Sequence, residues 1–517
     1  MKILFVNPSL RPKASHRYLP VGLGYVVTAA KVAGFAFDIL DVDATDCTDD
    51  QVEAFLAKGR YDVVAVGSIV THYRWVRWLV QTAKRVNPGC VTIVGNSVGG
   101  SIPEILFQTA PVDIVVLGEA DITIVEVLET LRDGRPLGHA VEPPVEIPHD
   151  NGPYPATVKG VGVLGIVFRD AQGRVVQNDR RPATKLVDEL PWPDWDLFDV
   201  QTYIERGRET AHSSVWRYPL EDAVVFPVNT ARGCVFKCTF CHYVFWHDPY
   251  RHRSVDSILG EIRHLNRKYG ANYINFWDEL SFHKIGPAEK FLDALAASGL
   301  DIHWTAAVRS DLLGRDDVPY EDRLRVAKKF ADTGCTSLGF SLESGNDEIL
   351  TAMNKRVRAD FFREQVRVLR EAGVVCSTSV VVGYPQETPE TLADTIRMCE
   401  ETRVYPSVGY LLPLPATGMW KHALEHGHIT DPHRFLMDVT ERQDLVMNMT
   451  TMSDEQFQGE VKRGLSHLNE VLNCDLDEST LIKTGGYQKH DRNQTADVFK
   501  HRNTTDSLNY ASLTGAV

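Results

Sequence analysis

Arg232-Gly233-Cys234-Val235-Phe236-Lys237-Cys238-Thr239-Phe240-Cys241-His242 carries three cysteines at C-x3-C-x2-C spacing in one short, loop-like segment. Thiolate sulfur is a soft ligand suited to iron–sulfur clusters. Three such ligands in a compact loop can hold three irons of a four-iron cubane, and no fourth cysteine follows nearby. The fourth iron is then open, as catalytic metal sites keep a position open where structural ones do not. A small chelate with an amine and a carboxylate, such as the backbone end of methionine, would fill it. The residues by themselves leave a second reading, a zinc site completed by His242 or His247, since zinc takes four Cys or His ligands.

Around this loop, residues 221–425 alternate strand and helix. Ala223–Asn229 leads into the cysteines, and five further apolar runs follow, each separated by a helical stretch. Six strand–helix units predict a partial (β/α)6 barrel, whose functional groups belong at the carboxyl ends of the strands. The residues at those ends are Asp278 and Glu279 after Tyr273–Trp277, Arg309 after His303–Val308, Ser341 and Glu343 closing Ser337–Leu342, and Gly383 after Val374–Val382. A carboxylate on an ammonium and a guanidinium on a carboxylate are strong pairs in a dry site, so Asp278 or Glu279 and Arg309 suit the two ends of a free amino acid. Each is equally an ordinary ion pair at a barrel mouth.

Residues 1–135 also alternate, with five short apolar runs and helices between them, which predicts a doubly wound, Rossmann-like parallel sheet. Ligands on such sheets bind beyond the carboxyl ends of the strands. Ser68, Thr71, Gly95, Asn96, Gly118 and Glu119 lie in the loops there. Ser68 and Thr71 also read as turn formers, and the domain as one that binds a nucleotide or nothing. No G-x-G-x-x-G follows the first strand, which weakens a dinucleotide reading. Residues 136–220 are proline-rich and read as a linker with a β-hairpin, Gly162–Arg169 and Arg174–Gln177. Leu190-Pro191-Trp192-Pro193-Asp194-Trp195 reads as packing between domains. Residues 426–517 read as a small, mainly helical region, with a helix over Asp454–Leu472 that covers the barrel mouth, and a poorly ordered tail.

The cysteine loop, with Phe240 before its last cysteine, resembles that of the radical S-adenosylmethionine (SAM) enzymes. Gly339-Phe340-Ser341-Leu342-Glu343-Ser344-Gly345 and Val382-Gly383-Tyr384-Pro385-Gln386-Glu387-Thr388 extend the likeness along the barrel. Pro20-Val21-Gly22-Leu23-Gly24-Tyr25, Gly67-Ser68-Ile69-Val70 and Gly118-Glu119-Ala120-Asp121 resemble the cobalamin-binding domain that precedes many of these enzymes. The resemblance implies a [4Fe-4S] cluster on Cys234, Cys238 and Cys241. It implies SAM held by Phe240, His242, Asp278 or Glu279, Arg309, Ser341, Glu343 and Gly383. It also implies cobalamin against Ser68, Thr71, Gly95, Asn96, Gly118 and Glu119. The Asp-x-His-x-x-Gly of mutase-type relatives is missing after the first strand, which reads Asn7-Pro8-Ser9-Leu10-Arg11, so cobalamin is expected without a histidine below cobalt. Gly95-Asn96 stands where a glycine pair is usual.

The net charge of −14 over 517 residues argues against a nucleic-acid surface. No apolar run approaches transmembrane length. Outside the loop the remaining cysteines are scattered singly, which suits a reducing cytoplasm and not a disulfide framework. The expected function is methylation of a carbon centre in a specialised small molecule, with electrons from an external donor such as flavodoxin or ferredoxin. A radical cyclase or rearrangement enzyme of the same family, and a cobalamin- or cluster-based sensor, are the alternatives.

Overall fold

A computed structural model of the chain describes residues 1–12, 17–208, 220–242, 248–439, 442, 444–478 and 481–482. His247 and the tail expected to be poorly ordered lie outside the described residues. Among those described, no helix is long and apolar enough to cross a membrane.

Five short strands open the chain: β1 (Ile3–Asn7), β2 (Phe37–Asp41), β3 (Val63–Gly67), β4 (Val91–Gly95) and β5 (Ile114–Val116). They pair in parallel in the order β2-β1-β3-β4-β5, with Ile3 beside both Phe37 and Val63. All five residues of β1 are buried, because helices cover both faces of a parallel sheet. The order reverses between β1 and β3, and a ligand crevice belongs at that switch point.

The segment read as a linker does more than connect. β6 (Gly138–Ala140), β7 (Glu146–Ile147), β8 (Thr157–Gly162), β9 (Ile166–Arg169) and β10 (Val175–Asn178) continue the first sheet. The expected hairpin forms as β9–β10, turning at Asp170–Gly173 with Gly173 at φ +81°. Its strand β9 then pairs antiparallel with β5, so the exposed edge of the parallel sheet is capped. Trp192 and Trp195 join the two halves of the chain. A Cβ on Gly24 would lie 3.0 Å from the Trp195 ring, and one on Gly260 3.2 Å from Trp192. Each indole thus presses on a glycine of a helix from a different domain.

The second sheet is parallel in the order β11 (Val225–Val228), β14 (Tyr273–Phe276), β15 (His303–Ala307), β16 (Cys335–Gly339) and β17 (Val375–Ser377), with β12 (Ala231–Arg232) and β13 (Arg251–His252) as a separate ribbon. The single strand expected over Val374–Val382 is broken at Thr378. The Thr378 hydroxyl donates to the Phe340 carbonyl and accepts from Leu342 N, ending β17. The chain resumes as β18 (Ser379–Val382), which pairs with β19 (Ser407–Tyr410). The six strand positions of the partial barrel are therefore filled, with a crease at the fifth. The helix Asp454–Val471 is capped by Ser453. It packs along the helix Pro389–Glu401 and brings Phe457 against Gly383.

Candidate active site

The cysteine loop hangs between the two strands of the β12–β13 ribbon, where Arg232 faces Arg251. Gly233 starts the loop at φ +91°, and a Cβ there would lie 2.9 Å from the Pro249 carbonyl oxygen, so only glycine fits. The far side of the loop is pinned to the barrel. Thr239 N donates to the Met353 carbonyl, the Thr239 hydroxyl meets the Tyr384 hydroxyl at 2.9 Å, and Asn354 donates to the Lys237 carbonyl at 2.7 Å.

Cys234, Cys238 and Cys241 open on one cavity of about 450 Å³, closed on the opposite side by barrel strand ends. Burial pushes the Cys234 and Cys238 thiols up and the Cys241 thiol to about 12. Buried thiols of this kind stay neutral unless a cation compensates them, and a coordinated thiol is deprotonated outright. Three thiols on the wall of one cavity would supply one ligand to each of three irons of a four-iron cluster.

The strand-end residues divide. Glu279, Arg309, Ser341 and Glu343 line the cavity with Phe240. Asp278 does not. Its carboxylate accepts from Thr230 N at 2.9 Å, Ala231 N at 3.2 Å, the Thr230 hydroxyl at 2.6 Å and the Ser281 hydroxyl at 2.9 Å. That network fastens the chain between β11 and the cysteine loop, so Asp278 anchors the loop and, of the expected pair, Glu279 is the one that lines the cavity. Glu279 is exposed toward the cavity, where its carboxylate can accept from an arriving ammonium. Arg309 lies 3.4 Å above the Phe236 ring. Its Nη2 donates to the Lys355 carbonyl at 2.6 Å and its Nε to Asp311 at 3.1 Å, which orients the fork and leaves Nη1 for a carboxylate.

Two more of the expected residues lie outside the lining of this cavity. Gly383 does not line the cavity, because Phe457 covers it: a Cβ there would be 3.3 Å from that ring. His242 also stands outside the lining residues; burial holds its imidazole near 4 and so neutral. Gly383 N instead donates to Glu387, a carboxyl 1 % exposed. Burial raises Glu387 from 4.5 to about 7 against the pull of hydrogen bonds from Gly383 and Tyr384. A carboxyl raised on folding contributes stability that is complete below its unfolded pKa and lost as pH rises through the folded one. Stability should therefore fall by about 3 kcal/mol between pH 4.5 and 7. In urea unfolding measured across that window, Glu387→Gln is expected to lack this decline.

On the first sheet, Gly67 of β3 and Gly95 of β4 are side by side. Asn96 takes φ +59°, the left-handed conformation that asparagine tolerates, so Gly95-Asn96 keeps a backbone shape that a glycine pair would give. Ser68 is buried and bonds His72 Nδ1 at 3.1 Å; Thr71 lies in the single turn Val70–His72. The His72 ring stacks on Trp75 with centroids 5.2 Å apart, and burial lowers it to about 4. The small residues Gly67, Ser68 and Gly95 at this edge give a broad flat ligand close access to backbone, which fits cobalamin. Gly118, at φ +75°, starts the turn after β5. Glu119 in that turn is not free for a ligand: Arg251 and Arg232 hold its carboxylate.

Sequence reading missed Lys355 and Phe236. Lys355 Nζ pairs with Glu343 at 2.7 Å, both buried, and lines the cavity. Glu343 itself sits at φ +59°, strained for a residue with a Cβ, as functional sites often are.

The Radical SAM superfamily model matches residues 228–399, and the B12 binding domain model residues 11–128. An uncharacterized methyltransferase of Pyrococcus horikoshii is 25 % identical over 432 residues, 82 % of this chain and 83 % of that protein. The anaerobic magnesium-protoporphyrin IX monomethyl ester cyclase of Rubrivivax gelatinosus is 24 % identical over 408 residues, 78 % of this chain and 66 % of that protein. Among solved structures, the radical SAM methyltransferase TsrM from Kitasatospora setae, with cobalamin and a [4Fe-4S] cluster bound, has the same fold at TM-score 0.58. It is 16 % identical, with 82 % of this chain and 78 % of that chain covered.

Proposed function

We propose that this chain, a radical SAM enzyme with a B12-binding domain, methylates a carbon centre of a small, specialised molecule. One observation carries the reading: three thiols and the ligand-seeking groups Glu279 and Arg309 share a single cavity, while the turn after β5 in the B12-binding domain is ion-paired to the base of the same loop. When bound, the cluster supplies the electron that splits SAM to a carbon radical, and cobalamin supplies the methyl group.

The chain's own residues hold and orient. Cys234, Cys238 and Cys241 bind iron. Glu279 accepts from the amine of methionine, and Arg309 Nη1 donates to its carboxylate. Phe236 and Phe240 close the cavity against water, which strengthens those charged contacts. Ser341 and the Glu343–Lys355 pair supply hydroxyl and carboxylate acceptors for a ribose. Ser68, Thr71, Gly95, Asn96 and Gly118 hold cobalamin. A protein donor of flavodoxin or ferredoxin type provides electrons.

The test is an anaerobic assay with SAM and a reductant. Methyl transfer yields S-adenosylhomocysteine and 5′-deoxyadenosine together. 5′-Deoxyadenosine without S-adenosylhomocysteine would move the assignment to the cyclase type, which the name of the Rubrivivax relative favours. Neither product would point to a sensor and end the proposal.

A further inference from the structure

We propose that Glu119 and Asp121 are positioning residues for the iron–sulfur loop and not contacts to cobalamin, although both lie in the B12-binding domain. The cysteine loop begins after Arg232 and ends before Arg251, which face each other on the β12–β13 ribbon. Asp121 takes Arg232 as a two-bond fork, Nη1 at 2.7 Å and Nη2 at 3.0 Å. Glu119 takes Arg251 in the same way, through Nη1 at 3.0 Å and through Nη2, and also lies 3.5 Å from Arg232 Nη1.

The four side chains are shielded, between 7 % and 18 % exposed. Two further contacts fix the arginines. The Arg232 guanidinium lies 4.7 Å from the Tyr25 ring centroid, and Arg251 Nη1 donates to the Thr184 carbonyl at 2.7 Å. A third pair across the same boundary, Arg180 with Asp248 at 2.8 Å, ties the returning limb of the loop. Forked arginine–carboxylate pairs fix direction as well as distance. In a shielded setting, removing both carboxylates leaves two guanidinium groups without these counter-charges. The two ends of the loop are thus set by the turn after β5, and the orientation of the three cysteines depends on a domain that contributes no iron ligand.

This inference rests on the reading of Cys234, Cys238 and Cys241 as cluster ligands; if the wild-type chain takes up no iron and sulfide, that reading is what fails. The experiment uses the full-length protein, reconstituted without air, and compares wild type with the double variant Glu119→Gln, Asp121→Asn. Iron release to a chelator and the electron paramagnetic resonance spectrum of the dithionite-reduced cluster report on the loop. Absorbance titration with hydroxocobalamin reports on the other domain. Iron release is expected to quicken about tenfold, the scale of a lost charged hydrogen bond, with a changed spectrum and cobalamin affinity within about twofold of wild type. The exchange pair Asp121→Arg with Arg232→Asp restores opposite charges and should recover part of the slow release, which a general loss of folding would not. Release at the wild-type rate overturns the proposal. So does a large fall in cobalamin affinity with release unchanged, which would make the carboxylates cofactor contacts.

Discussion

Cys238→Ala, prepared and reconstituted without air, is expected to retain little iron or sulfide and to cleave no SAM above background, with an unfolding transition close to that of wild type stripped of iron. Cys238 is buried on the cavity wall between Cys234 and Cys241. Two remaining thiolates hold two irons and leave two corners of a cubane to solvent and oxygen. The loop itself should survive, because its shape is set elsewhere: by Gly233, by Thr239 bonded to Met353 and Tyr384, and by Asn354 on the Lys237 carbonyl. An alanine removes one sulfur from a cavity wall and breaks none of these. Iron and sulfide assays with a thermal melt on the same sample separate the effects. A variant with full iron, or wild-type protein that holds only zinc, would remove the basis of the proposed reaction.

The grouping of Cys234, Cys238 and Cys241 on one cavity was legible from their spacing, because the three are local in sequence. The strands were legible for a similar reason: a strand buried on both faces is a continuous apolar run, as Ile3–Val6 and Val63–Val66 are. What lay beyond reading is decided by pairing at a distance. Ile166–Arg169 has one local pattern whether the hairpin stands alone or adds to β5, and only the free edge of β5 determines which. Lys355 sits in an irregular stretch, between Asn354 and Arg356 at positive φ, where no period predicts a direction; its tie to Glu343 shows only in three dimensions. Gly383 has the flanking residues of a ligand-facing strand end, but Phe457, from a helix far along the chain, is packed over it. Glu119 is at a strand end where a ligand contact is expected, and the arginines that claim it come from a ribbon whose existence no hydrophobic pattern announces.

The adjacent carboxylates Asp278 and Glu279 show the same limit at one residue's resolution and give the second large effect. Both lie beyond the end of β14, outside the strand's alternation, and only one lines the cavity. Spacing could not say which does. In the structure Asp278 turns toward the chain that leads to the cysteines and receives backbone and hydroxyl donors there, with Asn229 Nδ2 adding another at 3.1 Å. Asp278→Asn would set an amide N–H₂ against those donors. Weakening a half-buried carboxylate network of this kind costs on the order of 1.5–3 kcal/mol, and iron should be lost along with stability because the loop is released. Among the described residues Glu279 has no comparable attachment; it faces the cavity. Glu279→Gln is therefore expected to leave unfolding within about 0.5 kcal/mol of wild type and iron content unchanged. SAM binding to the loaded protein should weaken about ten- to a hundredfold, the range for one charged hydrogen bond. Urea unfolding, iron analysis and equilibrium dialysis with labelled SAM on both variants decide the matter. If Asp278→Asn were as stable as wild type and failed to bind SAM while Glu279→Gln bound it normally, the two roles would have to be exchanged.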